Sequence, residues 1–307
     1  MTFFASRNAA RPSIGAGPAG EPAFMAYARR GRNSPVRYGL TLVLGLALMM
    51  ALGAVVLAVL ELVTDLPADL AARMQDPRRF DWFFGSLGLT FLVALAGMLA
   101  ACRLVLRKGL SDLLGDWRWS SWLSGAGVWI IVLSLAALSD YLIAPGGFRI
   151  SAGPETLRLL AWAAPALLVQ TFAEEVIFRG FVTQGLLLGV RSVLPAAVLS
   201  GIAFGAMHIP NGGPQAASAT LLGIVLALVV IRTGSLAFAS GLHFANNLFG
   251  AVVLVSAQDV FAGVPALVTQ STPHLMWWDT LVAALALAGL ALFILRSPRF
   301  APQPPGG

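Results

Sequence analysis

Long apolar runs, broken by short polar segments, organise this chain. Eight of them read as candidate membrane spans, over roughly 39–60, 83–102, 121–143, 158–188, 192–208, 216–232, 235–256 and 279–295. The runs are about 20 residues long rather than ~10-residue alternating stretches, so helices are expected and barrel strands are not. The fourth run is too long for a simple crossing and predicts either a tilt or a break around Gly180. The fifth is short. No convincing internal repeat is visible, which weakens a transporter reading, since many transporters carry inverted halves.

Composition agrees with the pattern. The chain has 307 residues, of which 58% are hydrophobic and 11% charged, with a mean hydropathy of +0.81. A soluble domain carries about a quarter charged residues, so lipid must solvate much of this surface. The expected fold class is all-α, a polytopic transmembrane helical bundle of about eight spans. One cysteine, Cys102, excludes internal disulfides and a cysteine metal cluster. The net charge of +6 comes almost wholly from arginine. In a membrane protein that reports loop orientation rather than nucleic-acid binding.

The chain divides by composition into four parts. Residues 1–38 read as a disordered basic cytoplasmic tail, 39–157 as N-terminal transmembrane helices, 158–256 as a polar-bearing helical core, and 257–307 as a loop, the last span and a short tail. With the N-terminus inside, 15 of the 20 Lys and Arg residues fall on one side and 5 on the other. That split favours both termini in the cytoplasm.

Ionisable residues inside the spans carry the chemistry. Glu174, Glu175 and Arg179 lie within "FAEEVIFRG". Left unpaired at the bilayer centre, three such groups would cost on the order of 8–10 kcal/mol. Glu175 and Arg179 are four apart in the favourable order and can neutralise each other as a structural pin. Glu174 points about 100° away and is left unexplained by that pair. Two other spans supply partners. In "GIAFGAMHIP", Phe204 and His208 are four apart, with Gly201 and Gly205 where another helix can approach closely. In "SGLHFANNLFG", His243 and Asn247 are again four apart. His274 stands in a loop beside Trp277 and Trp278 and reads as interfacial.

A carboxylate in a low-dielectric pocket can serve as general base and take a proton from water. A histidine can position that water or protonate a leaving amine, and Asn247 can donate to an oxyanion. Glu174, His208 and His243 are equally a ligand set suited to zinc, with a fourth position for water. Both routes lead to hydrolysis, most naturally of a peptide bond. HExxH is absent, which disfavours a zincin or site-2-type protease. "FASGLH" has Phe238 where a rhomboid-type GxSG needs glycine.

Three motifs, in order and on separate spans, resemble the CPBP family of intramembrane proteases, the CAAX-protease and bacteriocin-processing (Abi) proteins, which includes the type II CAAX prenyl endopeptidases. "EEVIFR" resembles EExxxR, "FGAMH" resembles FxxxH, and "HFANN" resembles HxxxN. The resemblance covers roughly residues 158–256. It implies that Glu174 activates the water with His208 and His243 assisting. It places Asn247 at the oxyanion, and Glu175 with Arg179 shaping the site. It also implies either a metalloprotease or a metal-free glutamate mechanism. The expected partners are membrane lipid and a peptide or membrane-protein substrate. The expected location is a bacterial inner membrane. A non-catalytic scaffold or sensor of the same fold, and a proton-coupled transporter using Glu174 and the histidines, are the competing functions. One tension stands: simple crossing puts His208 at the outer end of the fifth span, so that helix either starts deeper or is only a partial span.

Overall fold

The structure is a computed structural model that describes residues 22–272 and 275–297; His274 lies outside the described residues. Residues 22–34, expected in a disordered tail, belong to the fold. The short helix α1 (Ala23–Ala28) buries Phe24 and Ala28 completely. Lys108 Nζ donates to Ala28 O at 2.7 Å and to Gln184 Oε1 at 2.6 Å, and Arg30 pairs with Asp112 at 3.1 Å. An Arg-rich composition masked two apolar anchors, Phe24 and Met25. Burial also pushes the Lys108 ammonium down to about 8.

Ser34 then caps α2 (Pro35–Val63), accepting from Arg37 N, with Pro35 at the first helical position. The outward face of α2 is apolar, with Val36, Met50 and Leu62 all more than two-thirds exposed. Such a continuous apolar face is one that lipid, not water, covers. Next come α3 (Leu70–Gln75), α4 (Phe80–Ala101), α5 (Leu110–Leu114) and α6 (Trp119–Ile143). The long fourth run is α7 (Pro154–Glu175) followed by α8 (Thr183–Val190). It does not break at Gly180. It widens into a π-helical segment over Val176–Val182, a turn type that is frequent at functional sites. The widened turn presents Phe178 O to the Thr183 hydroxyl, which donates at 2.9 Å.

The remaining helices are α9 (Val193–Ala206), α10 (Gly213–Thr233), α11 (Ala237–Leu248) and α12 (Leu275–Arg296). Among the described residues, six helical stretches are long and apolar enough to cross a membrane: Pro35–Val63, Phe80–Leu106, Trp119–Ile143, Pro154–Val190, Gly213–Thr233 and Leu275–Ile294. The other two candidate spans, 192–208 and 235–256, are shorter helices. At 14 residues, α9 is about 21 Å long against a hydrocarbon core of about 30 Å. It is too short for a full crossing, and His208 comes directly after its last turn. The chain also forms a small sheet that the apolar pattern did not predict. Strands β1 (Phe148–Ile150), β2 (Leu254–Ser256) and β3 (Val268–Gln270) pair in the order β1-β3-β2, antiparallel then parallel.

Two close helix crossings set the site. A Cβ on Gly201 would lie 2.6 Å from Ile224 N, so α9 and α10 meet backbone to backbone, as small residues at this spacing allow. A Cβ on Gly241 would lie 2.8 Å from the carbonyl carbon of Trp122, which brings α11 against α6. Gly241→Val is therefore expected to lower the melting temperature in detergent, with overpacking costing at least about 1–3 kcal/mol. Gly127→Ala on the same α6, where a Cβ meets nothing within 4 Å, should be neutral or mildly stabilising.

Candidate active site

The two glutamates end α7, where it packs against α11. Glu175 and Arg179 are fully buried, and Glu174 and His243 nearly so. Arg179 NH1 lies 3.2 Å from Glu175 Oε1. The same oxygen is 2.8 Å from His243 Nδ1. The pin read from sequence is thus part of a larger cluster. Glu175 holds Arg179 and also orients His243, because a carboxylate that only accepts requires a proton on Nδ1. The other ring nitrogen, Nε2, stands 3.5 Å from Glu174 Oε2. His243 therefore bridges the two carboxylates that helical geometry points apart.

Charge pairing explains why these groups tolerate burial. Two carboxylates lie near one guanidinium, with the His243 ring between them. A buried ion set is stable only when its partners match. Arg179 has a further contact, its guanidinium carbon 4.3 Å from the Phe204 ring centroid, within cation–π range. Its three nitrogens make no well-aligned hydrogen bond among the described residues. The contact with Glu175 is therefore a charge pair more than a directed bond.

Phe204 is the hub that gathers the later motifs. Its ring lies 4.6 Å from that of His208, meets His243 edge-on at 5.6 Å, and packs against Phe178 at 5.0 Å. His208 lies beyond the end of α9 yet keeps to Phe204, with Nδ1 2.9 Å from Phe204 O. A carbonyl only accepts, so that nitrogen carries the proton and Nε2 is left with a free lone pair. His208 is also close enough to Glu174 to interact with its charge. Asn247 donates to Gln170 Oε1 at 2.9 Å, and Gln170 stands one turn before Glu174 on α7.

The six residues singled out from the sequence, Glu174, Glu175, Arg179, His208, His243 and Asn247, are thus brought to one place between α7, α9 and α11. Sequence reasoning missed Asn246, which accepts from Trp129 Nε1 at 2.9 Å and donates to Asn247 Oδ1 at 3.1 Å. Gln170, one turn before Glu174, was not singled out either. The doubled asparagine "NN" was a signal for a polar row on this helix. Nothing in the sequence pointed to Trp129. Zinc on Glu174, His208 and His243 finds no support in the donor arrangement. No three His, Cys, Asp or Glu side chains among the described residues group so as to hold a metal ion.

Fold and site together describe an integral membrane protein of packed apolar helices, with an ionisable cluster sealed between three of them. Comparison with known proteins points the same way. Residues 156–249, the helices that carry this cluster, match the family described as Rce1-like, type II CAAX prenyl endopeptidase Rce1-like. The resemblance of the three motifs to the CAAX proteases thus extends to the family profile, which supports an intramembrane protease of the CAAX type at the level of the family. A protein of Bacillus subtilis (strain 168), "Uncharacterized protein YyaK", is 28% identical over 218 residues, covering 66% of this chain and 72% of that one. No solved structure matches.

Proposed function

We propose that the chain is an intramembrane endopeptidase that hydrolyses a peptide bond with water activated by Glu174. The observation that carries this reading is the placement of His243 between the two carboxylates, 2.8 Å from Glu175 and 3.5 Å from Glu174. That arrangement couples a base to an acid. Glu174 takes a proton from water as the water attacks the carbonyl carbon. His208, with Nδ1 held on Phe204 O, offers Nε2 to orient that water. His243, oriented by Glu175, passes that proton from Glu174 to the departing amine. Asn247 retains one N–H beyond the one used on Gln170 and supplies it to the oxyanion. Arg179 pairs with the Glu175 carboxylate and lies against the Phe204 ring.

No step of this mechanism is routed through a metal. The substrate class is a membrane-embedded peptide or membrane protein, reached in lipid. The proposed setting is a bacterial inner membrane with both termini cytoplasmic, in keeping with the arginine asymmetry and with six candidate crossings among the described residues.

The test is purified protein in liposomes with a set of fluorogenic transmembrane peptides, the products sized by mass spectrometry. The expected result is cleavage that survives 1,10-phenanthroline within about twofold and falls about 10²-fold in His208→Phe, in line with the loss of one general acid–base partner. Abolition by the chelator with restoration by zinc would overturn the metal-free mechanism. Proton flux that depends on Glu174 with no cleavage would favour the carrier. Neither activity would leave the scaffold.

A further inference from the structure

A row of polar side chains runs from α6 to Gln170 on α7, one turn before Glu174, and every contact in it has a direction. Trp129 Nε1 donates to Asn246 Oδ1 at 2.9 Å, Asn246 Nδ2 to Asn247 Oδ1 at 3.1 Å, and Asn247 Nδ2 to Gln170 Oε1 at 2.9 Å. Trp129 is 1% exposed and Gln170 7%, so both ends of the row are shielded from water.

A side-chain amide turned end for end keeps nearly the same shape. Packing alone therefore does not decide which end faces which neighbour. One end of this row does decide it. An indole N–H only donates. Trp129 demands an oxygen from Asn246, which then has only its N–H end for Asn247, and the demand passes on to Gln170. The row has one satisfied polarity, and reversing Asn246 or Asn247 alone would set oxygen against oxygen or N–H against N–H at two contacts.

We infer that Trp129 and Asn246 are positioning residues that lock the amide orientation of Asn247 and Gln170, so that both present N–H on the Glu174 side of the site. The catalytic consequence rests on the proteolytic reading. An Asn247 held the other way would place a carbonyl oxygen where negative charge develops, turning a stabilising dipole into a repulsive one. The lock matters because Asn247 lies past the most closely packed part of α11 and is itself only half-buried. Packing alone does not fix which end of its amide faces which way, and the indole N–H, 117 positions from Asn246 in the chain, does.

Selective ¹⁵N labelling of Asn and Gln in detergent micelles reads these NH₂ groups directly, with assignment by Gln170→Met and Asn247→Ala. Trp129→Phe keeps an aromatic ring and removes only the donor. The Asn247 and Gln170 NH₂ pairs are expected to split into two sets. Asn246→Asp takes an N–H from both neighbours and so turns Asn247 end for end, and the pairs are expected to move to one new set. Wild-type amide signals in both variants would overturn the inference. In the peptide-cleavage assay kcat is expected to fall about tenfold in Trp129→Phe and about a hundredfold in Asn246→Asp, with KM within about twofold. A rise in KM with kcat unchanged would likewise overturn it, because that pattern means lost substrate binding rather than a misaligned dipole. A wild-type chain that cleaves nothing would sink the proteolytic reading while the amide signals still decide the lock.

Discussion

Glu174→Gln is expected to lower cleavage of a model transmembrane peptide by about 10³-fold or more while the protein accumulates in membranes at its normal level. The two halves of this prediction have separate causes. Glutamine has the shape of glutamate but no basicity, and a positioned general base contributes about 10²–10⁴-fold. Stability should survive because Glu174 makes no close ion pair. Its nearest charged partner is His243 Nε2 at 3.5 Å, and its Oε2 accepts no hydrogen bond among the described residues. Removing an incompletely paired buried charge costs little and can stabilise. Single-turnover cleavage, normalised to protein measured in the same membranes, checks both halves. Activity within about tenfold of wild type would remove Glu174 from the chemistry.

Glu175→Ala should behave in the opposite way and strike the fold first. Arg179 is fully buried and pairs with this carboxylate at 3.2 Å. Taking away one partner of a buried pair strands the other charge, at a cost of about 3–5 kcal/mol. The Phe204 ring beneath the guanidinium recovers only a small part, on the order of 1–2 kcal/mol. The variant should fail to accumulate, or melt far below wild type in detergent. Adding Arg179→Met removes the stranded charge, and the double variant should regain most of the lost stability. It should not regain activity, because His243 Nδ1 still lacks the carboxylate 2.8 Å away that holds its tautomer. Recovery of both would mean that Glu175 serves only as a counter-ion to Arg179. Recovery of neither would mean that the Glu175–His243 bond, not the charge balance, holds α7 to α11.

The contrast between neighbours shows how far the sequence could be read. Glu174 and Glu175 were visible because ionisable groups in an apolar run are costly and stand out locally. The Glu175–Arg179 pair followed from helical spacing alone. What spacing could not supply was the third member. His243 lies 68 positions from Glu175, and helical geometry had set the two glutamates on different faces. A ring on a crossing helix reaches both. The π-helical segment that begins directly after Glu175 also escaped notice, since a widened turn keeps the same apolar composition.

Other differences have equally plain causes. The short helix α1 was hidden because arginine and glycine dominate its surroundings, whereas one buried Phe24 suffices to dock six residues. The β1-β3-β2 sheet is three residues wide at each strand, too short for alternation to register. The fifth span looked like a crossing because its composition is apolar throughout, and composition does not report that its 14 residues stop short of the far side.

The sequence by itself determined the solvent of this protein, the helical class, and the identity of every ionisable residue in the site. These follow from hydropathy, run length and spacing along one chain, which are local quantities. Tertiary structure alone decided that His243 stands between two carboxylates and that Phe204 gathers both imidazoles over Arg179. It also decided that a tryptophan 117 positions from Asn246 sets the direction of a row of amides. Those facts depend on which helices cross and how closely, and glycines at two crossings, not any periodic signal, brought the backbones near enough.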